Sequence, residues 1–405
     1  MNDGPISLIQ ARAVRDAVGV RFDDGAAIAV QGGRILAVGR PADLPSPTED
    51  THDLGDALVT PAHVNAHAHL ELSAIGSQPY PGDFIPWVTL LRQAAPPDDH
   101  GWFANAARDA AQASLDAGVG TIGDITSGLD VHHARQAAGL HGITFLELFG
   151  LAEPFDQPAL ARIPHVVAAD DDTLGFQPHA PYSAGPRLFA AAAKSNRPVC
   201  THLAELPEEL RFVAHGDGPF RDFLQQLGKW NDASAAAYGQ GLSPVAWMRP
   251  HLEQSPWLIA HGNYLTDDDI AILAGTQTSV AYCPFASAYF GHTDHRYRDL
   301  LAAGVNVCLG TDSIVCQPAD EPQPLGLLPQ MRFLHQRDGT DPDTLLAMAT
   351  THGATALGLP RNTAALTPGA PAAFCITPLV NNRMNDPLAS VLNSDESATG
   401  MFINA

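Results

Sequence analysis

Two textures of apolar spacing divide the chain. Residues 5 to about 56 read as short strands. There AIAVQ (27–31) and RILAV (34–38) flank Gly32-Gly33, a pattern that predicts a β-hairpin. PSPTED (45–50) predicts a surface loop. From Ala57 onward, short apolar runs alternate with Ala-rich stretches of helical length. The runs are ALVTPAHVNAH (57–67), VGTIGDI (119–125), ITFLELF (143–149), LGFQPHA (174–180), VCTHLAE (199–205), WLIAHG (257–262), SVAYCP (279–284) and VNVCLGTD (305–312). Between them, 102–117 predicts a helix stopped by Gly118. Residues 267–273 and 295–303 precede Gly275 and Gly304 in the same way. Eight runs interleaved with helices predict a parallel (β/α)8 TIM-like barrel over 57–359. The rival is an open doubly wound sheet, but no GxGxxG follows a first strand. After Ala356 the alternation ends, and AAFCIT (372–377) reads as a strand of another kind. The tail is expected to pair with the N-terminal strands, giving a small β-sandwich domain from 1–56 plus 360–405.

Charge narrows the partners. Lys plus Arg number 22 against 44 Asp plus Glu, a net charge of -22. That field repels phosphate backbones and anionic lipid, so nucleic acid and membrane surfaces are not expected partners. Only Lys194 and Lys229 are lysines. Five cysteines without a CxxC fit neither a disulfide scaffold nor a zinc ribbon. No basic start followed by an apolar run is visible, and no stretch approaches the ~18 apolar residues of a spanning helix. These features predict a soluble, cytoplasmic protein.

The chemistry gathers at run ends. His67 and His69 sit on one face of the first run, because alternate strand positions point the same way. An HxH alone carries little weight. His179, His202, His261 and Asp312, however, each end a different run, where a barrel places its active site. Ionisable groups in such positions carry a desolvation cost that packing does not repay. Imidazoles with one carboxylate suit a divalent metal such as zinc, with a position left open for water. Glu205, three residues after His202, can take a proton from that water and return it to a leaving group. The other zinc-deaminase design, H-x-E with P-C-x-x-C, is absent, as is HExxH.

The stretches TPAHVNAHAHLELS (60–73), FIPW (84–87), HAPYS (179–183), THLAE (201–205), AHGNYL (260–265), CPFASAYFG (283–291) and LGTDS (309–313) resemble the amidohydrolase superfamily in its cytosine-deaminase and chlorohydrolase-like branch. The resemblance is closest to nucleoside-type deaminases of adenine rings, aminodeoxyfutalosine deaminases among them. It implies one divalent metal, zinc with iron as the alternative, on His67, His69, His202 and Asp312. It also implies Glu205 as proton shuttle, His261 on the attacking water or oxyanion, and His179 on the substrate ring. Members with two metals bridge them through a lysine ending strand four; LGFQPHA has none, so one metal is expected.

Around that set, Glu71, Ser73, Phe84 and Trp87 are expected in a loop covering the ligand. Glu147 is expected to reach a sugar hydroxyl, Ser313 to touch substrate, and Cys316 to line the pocket. Cys200, Cys283 and Cys308 are expected as buried apolar fillers, His63 as packing, and His132, His133, His292 and His295 as surface or loop residues. The chain departs from the family at Phe285, where relatives carry a cation, and at His63, where they carry glycine. The long 206–248 segment is expected to wall the mouth or to mediate assembly as a homodimer. The function expected is hydrolytic deamination of an aminated purine nucleoside-like small molecule. The alternatives are hydrolysis of a C–Cl or cyclic amide bond at the same site, or a non-catalytic binding protein of the same fold.

Overall fold

The first apolar run is two strands belonging to different sheets. In the computed structural model, which describes residues 4–96, 100–380 and 386–403, Ala57–Pro61 ends at a proline that has no N–H to donate. The chain then changes partner. The Ala62 N–H donates to the Ala373 carbonyl, whereas the His63 N–H donates to Gly118.

From His63 the barrel strands follow in order. We number them β1 (His63–Ala68), β2 (Val119–Thr126), β3 (His141–Leu148), β4 (Leu174–Pro178), β5 (Cys200–Leu203), β6 (Leu258–His261), β7 (Ser279–Tyr282) and β8 (Asn306–Leu309). β1 to β4 form one parallel sheet and β5 to β8 a second, each in sequence order. Single parallel bridges, Phe176 to Val199 and Ala68 to Asp312, lie at the two seams. Most of these strands are buried along their whole length, which explains their near-continuous apolar runs. Inside, Val64, Ile125, Phe145, Cys200, Leu258, Ala281 and Cys308, from seven of the eight strands, form one apolar cluster beneath the site. This arrangement fits a TIM-like barrel.

The helix signals hold with small shifts of boundary. His100–Asp116 ends just before Gly118, whose φ of +79° suits glycine. Asp267–Ala274 starts with a capping box between Thr266 and Asp269. The 206–248 segment folds as Pro207–His215, Pro219–Gln226 and Asp232–Ala235 and enters Pro244–Leu252. Phe84 and Trp87 lie in a helix, Phe84–Ala94, rather than in the loop expected there; Asp83 caps it by accepting from the Ile85 N–H.

The chain ends contribute two more sheets. Ala26–Gln31 and Arg34–Gly39 pair antiparallel across Gly32 and Gly33, both at positive φ as such a hairpin turn needs. With Ile6–Ala11 and Thr51–Asp53 they make a four-stranded sheet. The other has five strands. In it Ala57–Pro61 lies between Ala373–Pro378 and Ala13–Arg15, and Thr399–Phe402 and Arg21–Phe22 form its edges. Ile9, Ile28 and Val30 of the first sheet share a cluster with Val14, Val59 and Phe374 of the second. No helix among the described residues is long and apolar enough to cross a membrane.

Candidate active site

The ends of the strands bring the expected residues to one place. His67 lies in β1 and His69 just after it; His202 lies in β5, and His261 is the last residue of β6. Asp312 follows β8, and its backbone N–H, with that of Thr311, donates to the His67 carbonyl. Asn65 clamps the same seam: its Nδ2 donates to Thr311 Oγ1 at 2.7 Å, and its Oδ1 accepts from the Thr311 N–H. His261 and Asp312 have φ of +72° and +57°, and Ala204 has +52°. Each such non-glycine residue costs about 1–3 kcal/mol, a cost that packing must hold in place at a working site.

Ring and carboxylate atoms of His67, His69 and His202 lie within 4.8 Å of one another, as do those of His67, His261 and Asp312. Asp312 Oδ1 is 3.5 Å from His69 Nε2 and 3.7 Å from His67 Nε2. Both ring nitrogens of the fully buried His67 lack a hydrogen-bond partner. Ligands about 2.0–2.2 Å from one ion stand roughly this far apart. The donor set, with an imidazole at its centre left without a hydrogen-bond partner, therefore fits a divalent cation.

Burial dominates the electrostatics. It lowers His69 to about 4 and His179 and His261 to about 3, and it drives His202 well below the imidazole range. Burial thus favours the neutral form of these rings, the form that ligates a metal. Burial pushes Asp312 up, but the neighbouring His67, His261 and His69 outweigh it and leave the carboxylate below its ordinary value. Glu205 goes the other way: burial first, then the charges of Asp312 and Glu209, raise it well above its ordinary value. Its Oε1 is 3.6 Å from His261 Nε2, and its Oε2 accepts from Tyr182 at 3.4 Å. Glu209 accepts from the Ala204 and Glu205 N–H groups, both at 2.9 Å, and holds this turn.

A cavity of about 670 Å³ opens over the cluster and is lined by His69, His179, His202, Glu205, His261 and Asp312. Glu71, Trp87, Glu147 and Ser313 line it too. Glu71 accepts from Thr126 Oγ1 at 2.7 Å and from the Ser127 hydroxyl at 3.0 Å. Burial raises Glu147 to about 8, with Glu71 adding to the shift. Trp87 donates to the Tyr289 hydroxyl at 2.8 Å. His179 stands 3.9 Å from Glu147 through Nε2, and its Nδ1 is 2.6 Å from Ser183 Oγ.

Other placements differ from the sequence expectation. Ser73 lines a separate recess with Asp109 and Asp116. Cys316 lies behind the site rather than on its wall and donates to Asp312 Oδ2 at 3.3 Å. His132 is buried in the helix Leu129–Ala137, whereas His292 and His295 lie in a connecting segment, as expected, but are buried there. His295 Nε2 donates to the His261 carbonyl at 2.7 Å, propping the strained strand end. His63 is buried with the barrel strand's first residues, away from the cavity. Phe285 packs against Phe333 outside it. Tyr182 and its stacking partner Phe220 went unassigned in the sequence, although Tyr182 stands three residues after His179 in HAPYS. Asn263, which donates to the Glu205 carbonyl and accepts from Ser287, was visible only as part of AHGNYL.

Three comparisons agree with this arrangement. The chain is 27% identical to aminodeoxyfutalosine deaminase of Deinococcus radiodurans over 82% of its length and 81% of that protein. It is 28% identical to a 5-methylthioadenosine/S-adenosylhomocysteine deaminase of Moorella thermoacetica over 84% of this chain and 78% of the relative. The crystal structure of Helicobacter pylori aminofutalosine deaminase with methylthio-coformycin superposes with a TM-score of 0.80 at 20% identity, covering 96% of this chain and 97% of that one, a likeness of fold. The sequence profile of the amidohydrolase family matches residues 58–403, a span that takes in all eight barrel strands and every residue of the cluster, so the chain belongs to that family.

Proposed function

We propose that the protein is a metal-dependent hydrolase that deaminates an aminated purine nucleoside-like substrate. The observation that carries this reading is the placement of Glu205 and His261, 3.6 Å apart, beside the histidine–aspartate cluster on one cavity wall. The deaminases among its relatives support the substrate class. His67, His69, His202 and Asp312 would hold one divalent ion, zinc with iron as the alternative. When bound, that ion supplies an activated water.

Glu205 accepts one proton of the attacking water and passes it to the ring nitrogen, then takes the second from the added hydroxyl and passes it to the departing amine. Burial and the neighbouring carboxylates raise its proton affinity, which favours taking up each proton. A C–O bond forms at the amidine carbon, its C–N bond breaks, and ammonia leaves. His261, kept neutral by burial, donates to the developing oxyanion. His179 faces the ring, and Glu71 and Glu147 accept from sugar hydroxyls, with Trp87 and Ser313 against the substrate. The reading extends to a cytoplasmic homodimer with a β-sandwich domain built from 1–56 plus 360–405, to which Ala57–Pro61 adds a strand. The apolar cluster shared by the two terminal sheets supports that domain.

The test is ammonia release from adenine nucleosides together with Glu205→Gln. Glutamine keeps the shape but cannot carry a proton, so turnover should fall by at least ~10²-fold while about one metal equivalent remains bound. Release of chloride or opening of a cyclic amide in place of ammonia overturns the deaminase reading. A variant with a third of wild-type turnover removes Glu205 from the shuttle role.

A further inference from the structure

The turn after β6 carries His261 and continues through Asn263, Tyr264 and Leu265. The ladder between β6 and β7 ends at Ala260 and Ala281, one residue short of His261. At His261 the backbone takes a φ of +72°, which a residue with a side chain keeps only where its surroundings hold it. The segment 287–296, between β7 and β8, straps this turn along its length. His295 Nε2 donates to the His261 carbonyl at 2.7 Å, and Ser287 Oγ donates to Asn263 Oδ1 at 2.7 Å. His292 Nδ1 is 2.8 Å from the Tyr264 hydroxyl, and Arg296 Nη1 donates to the Leu265 carbonyl at 3.4 Å. Asn263 Nδ2 in turn donates to the Glu205 carbonyl at 3.1 Å.

Within this strap, His295 is the member that reaches the strained residue itself. It stands between the helices Pro284–Tyr289 and Tyr297–Ala302. Its ring lies on Tyr282, the last residue of β7, with 3.7 Å between ring centres and 18° between planes. The Tyr282 hydroxyl accepts from Arg337 Nη2 at 3.1 Å, so the surface beneath the ring is itself fixed. Burial lowers His295 to about 4, which leaves a neutral ring with one N–H at pH 7. A carbonyl only accepts, so that N–H is on Nε2. Nδ1 is buried and has no hydrogen-bond partner among the described residues. On the other side of the turn, the His261 ring places Nε2 3.6 Å from Glu205 Oε1. Released from His295, His261 is free to relax toward an ordinary φ, and rotation about that bond swings its ring away from Glu205.

We propose that His295 is a positioning residue for the hydrolytic step: by holding the His261 carbonyl it keeps the His261 imidazole aimed at the developing oxyanion. The inference rests on the deaminase reading for what His261 does there. Space-filling alone does not account for the residue. An apolar ring would lie on Tyr282 as well and would bury no unpartnered nitrogen, a cost that the bond to the strained carbonyl offsets.

The test pairs His295→Phe, which keeps a ring on Tyr282 and removes the donor, with His295→Gln. Glutamine gives up the ring but carries an amide N–H as many bonds from Cβ as Nε2. With adenine nucleosides as substrates, the Phe variant should lose about 10- to 100-fold in kcat while KM stays within about twofold. Its bound metal should match that of the wild type. The Gln variant should return to within about threefold of the wild-type kcat. A Phe variant within about threefold of wild type, a Gln variant as slow as the Phe variant, or a loss that follows lost metal overturns the assignment. If melting shows that the Phe variant does not fold, the Gln variant is compared with His295→Asn, whose amide is one bond too short. A deficit of about tenfold in the Asn variant sustains the proposal, and equal kcat values overturn it. If the wild type releases no ammonia from any adenine nucleoside, the functional reading fails and crystal structures of the Phe and Gln variants decide the positioning role. His261 should leave positive φ in the first and keep it in the second. A His261 unmoved in the Phe variant overturns the role.

Discussion

A methyl group on Gly310 would stand 2.9 Å from the His67 Cβ, the His67 carbonyl and the Cys283 sulfur. Gly310 immediately precedes the Thr311-Asp312 pair whose N–H groups donate to that carbonyl. Gly310→Ala should therefore push His67 and Asp312 apart. We expect a loss of about 1–3 kcal/mol in stability and a metal content well below one equivalent, read by denaturant melts and elemental analysis. A variant with full metal content would show that the seam tolerates the shift. At this scale the sequence was most legible for groups ending apolar runs, because alternation along a strand fixes which side chains share a face. The supporting residues were not legible. His295 reaches His261 across 34 positions and Asn65 reaches Thr311 across 246, contacts that no local spacing encodes.

Among elements, the turn before β4 shows how neighbouring units are tied. His132, in the helix Leu129–Ala137, places Nε2 3.0 Å from Asp171 Oδ2 and Nδ1 2.9 Å from Thr144 Oγ1 of β3. A carboxylate only accepts, so Nε2–H donates to Asp171. Burial pushes the Asp171 carboxyl up, but hydrogen bonds from Thr173 and His132 outweigh it and hold the group at about 2, below the ordinary 3.8. A lowered folded value means that the stabilisation is complete above about pH 4 and is lost as pH falls through the range 4 to 2. Asp171→Asn should be less stable than wild type by about 1–2 kcal/mol at pH 6, discounted for partial exposure, and the gap should close toward pH 2.5. Denaturant melts at the two pH values measure it; an equal gap at both would assign the loss to packing. The helix Phe84–Ala94 was misread as a loop for a related reason. Its apolar stripe packs on Phe290 and Val315 at the cavity wall rather than on a barrel strand, so its period lies in a segment the barrel pattern leaves to connections.

For the molecule as a whole, the barrel order was readable from eight runs, whereas the edge of the barrel was not. Residues 57–67 look continuous because both strands are buried, and burial hides the change of sheet at Ala62. The terminal sheets also reach the barrel wall. A side chain at Gly120 of β2 would meet the Ala62 Cβ at 2.8 Å and the Phe402 ring at 3.0 Å. Phe374, fully buried between the sheets, should cost about 3–5 kcal/mol on replacement by alanine. The variant should melt earlier in a single transition that carries metal release with it. Two separated transitions would show that the terminal sheets unfold independently.

The strand Ala57–Pro61 also sets a timetable. It pairs antiparallel with Ala373–Pro378, and Thr60 meets Cys375 at a separation of 315 residues. A ribosome adding about 5–20 residues per second delivers that partner roughly a quarter of a minute to a minute after the strand itself emerges. Throughout that interval Val59 and its neighbours lack the far half of their core, while the barrel strands assemble one by one behind them. The five-stranded sheet is thus begun early and among the last parts completed. Joining the two ends of the chain and reopening it in an exposed loop would reverse that order, bringing both halves of the sheet off the ribosome together.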